Sequence, residues 1–208
     1  CWRLCHSISY LIGGVTFPVA SVIYLPSILK MATVAESVAG WLFTVGSFFF
    51  LVADLMEWNH YRPACLSSRL CGGTWNLGFN FLLSATGSLF YLLGSIYFIP
   101  SVATLFYGEL YFIIGSAIIA LSQAWKCYRT CTTPPTRPAC ANIKEDLLGF
   151  IVDLFAGLGG LFYLIGTAIY CKSPAPEDRY YVLAIVWWIL GGAAFFISAM
   201  AMQKRYFC

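Results

Sequence analysis

Two carboxylates interrupt apolar stretches of this chain: Asp153 within Ile151-Val152-Asp153-Leu154-Phe155, and Asp54 three positions before Glu57 near the end of another run. Carboxylates in apolar company are costly in hydrocarbon. They point either to proton or cation handling, or to pairing with a polar group across a helix contact. An i, i+3 spacing puts Asp54 and Glu57 on one helical face, and Asn80 holds roughly the place of Asp153 in a further run. A proton or ion pathway requires these four side chains to turn into a wet cavity. As interhelical glue, they require only a partner.

The cysteines form the other conspicuous set. Cys1, Cys5, Cys65, Cys71, Cys127, Cys131, Cys140 and Cys208 all fall near basic residues, leaving Cys171 apart. On a cytoplasmic face such juxtamembrane thiols stay reduced and are candidates for S-acylation. On an extracytoplasmic face, eight thiols make up to four disulfides. A zinc site would draw on His60 with Cys65 and Cys71, or on Cys127, Cys131 and Cys140, but the C-x3-C and C-x5-C spacings lack a zinc knuckle, and no metal or cofactor is expected. No G-x-S-x-G, H-E-x-x-H, phosphate loop or dinucleotide fingerprint occurs, so no catalytic residue is assigned and no enzyme is expected.

The elements positioning these groups follow from composition. Of 208 residues, 60% are hydrophobic and only 10% charged, and the mean hydropathy is +0.78, far from the quarter-charged make-up of soluble domains. A hydrocarbon core of about 30 Å takes about 20 apolar residues of helix. Apolar runs place helices near 8–25, 38–57, 75–99, 108–125, 147–171 and 180–202, with Pro26, Pro100 and Pro174 as stops on one face. The expected fold class is an all-α polytopic membrane protein with about six transmembrane helices. The formal charge of +3 is scattered rather than striped, which argues against nucleic acid.

Internal repetition organises the six runs. Gly87-Ser88-Leu89-Phe90-Tyr91-Leu92-Leu93-Gly94-Ser95 reappears, 72 residues on, as Gly159-Gly160-Leu161-Phe162-Tyr163-Leu164-Ile165-Gly166-Thr167. A degenerate third copy spans Gly13 to Ser27. Trp41 to Ser47 pairs with Leu110 to Ser116, and the patterns W-x-x-Y-R (Trp58, Trp125) and R-P-A-C (62–65, 137–140) each occur twice. The unit is a helical hairpin with its exit loop, in approximate repeats 1–62, 63–136 and 137–208, forming either a pseudo-threefold bundle or a linear row. These paired helices, with aromatic-rich G-S motifs, a helix-stopping proline and an aromatic-basic exit, resemble the YrhK-type domain, a two-helix membrane module. That resemblance implies a membrane hairpin in three tandem copies and supplies no catalytic residues.

With six crossings, both termini share a face with loops 58–74 and 126–146. Nine basic residues lie there against Lys30, Lys172 and Arg179 opposite, so the termini are expected in the cytoplasm, in a plasma membrane rather than an organelle membrane. Both ends are read as cut from a longer protein. Gly87, Gly94, Gly115, Gly157, Gly160 and Gly166 recur at helical spacing and are expected at close helix contacts. The leading expectation is a structural or accessory membrane protein that associates laterally with itself, as an oligomer or array, or with a larger membrane complex. The alternative is a small channel or proton- or ion-coupled transporter using Asp153, Asp54 and Asn80.

Overall fold

A helix that must satisfy its own backbone in lipid has no reason to stop where the apolar run stops. In the computed structural model, which describes residues 2–66, 74–102 and 105–208 and only the backbone of 61–66 and 74–77, four of the spanning helices, the first, second, fourth and sixth in chain order, outrun the apolar segments by five residues or more on the side of the chain termini. The spanning helices are α1 (Trp2–Ile23), α3 (Ala35–Leu66), α4 (Thr74–Tyr97), α5 (Leu105–Thr132), α7 (Leu147–Tyr170) and α8 (Tyr181–Phe207), with short α2 (Pro26–Leu29) and α6 (Ala139–Glu145) in connections. All six long helices are long and apolar enough to cross a membrane. Cys1, Arg69 and Cys71, and the side chains of Tyr61, Arg62, Cys65 and Trp75, lie outside the described residues.

The prolines act as expected at three helix ends. α1 ends at Ile23, α4 at Tyr97 and α7 at Tyr170, before Pro26, Pro100 and Pro174, and Pro26 also opens α2, where its missing N–H costs nothing. Pro18 lies inside α1. It faces Gly192 of α8, where an added Cβ would stand 2.5 Å from the Pro18 Cα. A glycine is what lets these two backbones meet.

The six helices form a closed ring. Each packs on its chain neighbours, in the order α1, α3, α4, α5, α7, α8, and α8 returns to α1. The linear row that the sequence left open does not occur. Aromatic side chains fill the middle in layers. Phe17, Tyr91 and Tyr163 form a triangle with ring centroids 5.3, 5.6 and 6.2 Å apart. Toward the face holding α2, Tyr24, Phe98 and Tyr170 form a second, with sides of 6.3, 6.4 and 6.5 Å. Phe43, Phe112 and Trp188 pack around them from the alternate helices. Such edge and tilted contacts are worth about 0.5–1.5 kcal/mol each beyond area burial.

The expected packing glycines lie at the seams. An added Cβ would meet Ile119 from Gly87, Phe112 from Gly94, the Gly87 carbonyl from Gly115, Gln123 from Gly157, Ala120 from Gly160 and Trp188 from Gly166. All these contacts are within one chain.

Candidate functional site

Polar chemistry is concentrated in the half of the ring nearer the chain termini. Extending α5 past the apolar run brings Lys126 inward, 6% exposed, and its Nζ donates to Glu57 of α3 at 3.1 Å. The same ammonium stands 5.4 Å from the Phe81 ring centroid. Around this pair opens a cavity of about 200 Å³ lined by Glu57, Phe81, Lys126, Arg129, Thr130, Asp146, Gly149, Asp153 and Arg205. Asp146 caps the start of α7 through Gly149 N–H and takes the Arg205 guanidinium from α8. Its lining carries three basic and three acidic side chains.

Asp54 lies one helical turn deeper on α3 than Glu57. Ser88 of α4 donates to its Oδ2 at 2.5 Å. Asp54 also lines a second, smaller cavity with Tyr10, Phe50, Ser84, Ser88, Ile119, Gln123, Ala156 and Phe195. Beyond it, the Phe17, Tyr91 and Tyr163 layer closes the interior. The order from the terminal side is a charged outer cavity, a small inner one at Asp54 that shares no lining residue with it, then aromatic packing.

The structure brings Asp54, Glu57 and Asp153 to these two cavities but not Asn80. Asn80 is 1% exposed. It donates to the Ser122 carbonyl at 2.8 Å while the Ser122 hydroxyl donates back to the Asn80 carbonyl at 3.2 Å, a clasp between α4 and α5. His6 is buried within α1, His60 lies within α3, and both stack on Trp2.

Sequence reasoning missed Lys126, Gln123, Ser84, Ser88 and Arg205. The helical spacing of Ile119, Ser122, Gln123 and Lys126 carried the signal, but Lys126 followed Trp125 at the assumed membrane edge and was assigned to a loop. Cys5, Cys127, Cys131, Cys140, Cys171 and Cys208 are free thiols. Among the described residues, no group of three His, Cys, Asp or Glu side chains is placed to hold a metal.

On the far face, Cys171 follows α7 and its thiol is pushed up to about 12, first by partial burial and then by the Glu109 carboxylate.

Fold and cavities together define a polytopic helical membrane protein with charged side chains gathered on one side of its interior. Residues 1–60, which hold α1 and most of α3, match the family model described as YrhK-like protein. No curated protein and no solved structure matches the chain.

Proposed function

We propose that this is a non-enzymatic membrane protein that takes up a proton or small cation from the terminal-side face, as a small channel or ion-coupled transporter in a state closed on the other side. The observation carrying this reading is the position of Asp54: inside the helix ring, below a charged cavity and above an aromatic seal. Intramembrane carboxylates at the end of such an approach are expensive to keep unless they act. Purified protein in liposomes should carry a proton- or cation-dependent flux that Asp54→Asn abolishes. Absence of flux under gradients of both kinds would overturn the reading.

A second reading follows from the seal itself. The aromatic layers fill the middle of the ring, which favours a structural or accessory protein that associates laterally with itself, as an oligomer or array, or with a larger membrane complex. Its mass in mild detergent, together with a projection image of the native membrane, tests this, and a lone monomer would sink it.

Three tandem hairpins of the YrhK type are part of the proposal. Tyr24, Phe98 and Tyr170 are 74 and 72 residues apart, as are Phe17, Tyr91 and Tyr163, and each set meets as a triangle around the ring axis. The bias of nine basic residues out of twelve to the terminal face supports a cytoplasmic location for that face and a plasma membrane orientation. Its free cysteines are then available for acylation.

A further inference from the structure

The inner cavity is small and its polar groups are unusually one-sided. Ser122 and Ser198 each donate their single hydroxyl proton to a backbone carbonyl, of Asn80 and Val152 respectively. Ser84, bonded to Ser122 at 2.7 Å, and Tyr10, bonded to Ser198 at 3.1 Å, must therefore be the donors in those contacts. Ser88 donates to Asp54. All three hydroxyls that line the cavity thus have their protons engaged elsewhere and keep only lone pairs for it.

Gln123 supplies an independent sign of a ligand. It is 7% exposed, it lines the same cavity, and its buried Oε1 has no hydrogen-bond partner. A buried amide oxygen without a partner is costly. With Asp54, the chamber presents five oxygen-bearing side chains as acceptors.

Charge points the same way. The outer cavity balances Lys126, Arg129 and Arg205 against Glu57, Asp146 and Asp153. Asp54, behind it, is left over with a serine hydroxyl as its hydrogen-bond partner. A buried carboxylate in this position is neutralised by one positive charge, either a bound proton or a cation.

We propose that the inner cavity binds one dehydrated monovalent metal cation of sodium size through Asp54, Gln123, Ser84, Ser88 and Tyr10. Hard oxygen ligands suit alkali and alkaline-earth ions. A single uncompensated carboxylate selects a single charge. The cavity volume of about 20 Å³ holds about one water-sized sphere, the scale of a small ion stripped of its shell. The neutral outer cavity lets the ion approach without trapping it. This inference rests on the ion-uptake reading and names its ion.

The test is equilibrium binding of radioactive sodium to the full chain in detergent, with choline replacing sodium at constant ionic strength, alongside thermal melting in the same buffers. The expected result is one sodium per chain, displaced by unlabelled sodium, and a melting point about 4 °C or more higher in sodium than in choline. Asp54→Asn should remove both signals. Gln123→Leu and Ser88→Ala should each weaken binding at least tenfold while eluting as the parent does, so the test does not depend on Asp54→Asn folding. Asn80→Ala should leave binding unchanged. Absence of saturable sodium binding in the parent chain, or binding that survives in both Asp54→Asn and Gln123→Leu, would overturn the site. Proton flux without sodium binding removes this site and leaves the transport reading standing. Sodium binding without flux leaves the site and removes transport.

Discussion

Lys126 and Glu57 form a buried chord in the ring: α5 and α3 are separated by α4, yet the ammonium and carboxylate meet at 3.1 Å with side chains 8% and 21% exposed. Removing one partner of a buried pair leaves the other charge uncompensated, which costs about 3–5 kcal/mol. Lys126→Met is expected to lower stability by that order, and Glu57→Gln by somewhat less because Glu57 is the more exposed partner. The double variant should recover most of the loss. Thermal melts in one detergent would decide it, and additive single losses would show that the pair is not coupled.

Ring closure depends on the contact of Pro18 with Gly192. The Cβ of Gly192→Ala would press on proline backbone, which cannot rotate away, so the expected cost is about 1–3 kcal/mol. At Gly157 the nearest atom to an added Cβ is the Gln123 Cβ at 3.1 Å, and Gly157→Ala should cost less. Equal melting points for the two variants would remove the α1–α8 seam as a special constraint.

The six helices were legible because a run of about 20 apolar residues leaves a chain little choice in lipid. Helix ends were less so: charged and aromatic residues such as His60, Lys126 and Arg205 remain helical beyond the apolar run, because the membrane edge sets solvation and not backbone geometry. Asp54 and Asp153 stood out by chemistry alone. Gln123 and Ser88 did not, since an amide or hydroxyl in a membrane helix is ordinary until its partners are known. Closure of the ring was not legible either. It depends on which faces α1 and α8 turn toward each other, and Gly192 is one glycine among eighteen.

Phe17 touches both Tyr91 and Tyr163, and also Phe50 and Phe195, which line the inner cavity. Truncation at this fully buried position should cost about 3–5 kcal/mol. Under the uptake reading, Phe17→Ala also opens a route past the seal. Flux through proteoliposomes should then rise at least several-fold over the parent, and the increase should persist with Asp54→Asn if the new route is a simple leak. A folded Phe17→Ala protein with parental flux would move the closure elsewhere.

Cys171 and Glu109 give a prediction that depends on pH. With the thiol at about 12, its thiolate near neutral pH is roughly a thousandfold scarcer than for an ordinary cysteine. Because only the thiolate reacts, alkylation of exposed Cys171 should be slow at pH 8 and rise about tenfold per pH unit up to that value. Glu109→Gln removes the neighbouring carboxylate, which opposes ionisation, but not the partial burial. The thiol should therefore fall only part of the way back, with alkylation at pH 8 at least several-fold faster. Rates measured by mass spectrometry with an impermeant maleimide on sealed vesicles would check this and report sidedness as well. Cys171 should label from the face opposite to Cys5 and Cys208. Equal rates with and without the Glu109 carboxylate would mean that burial alone holds the thiol up.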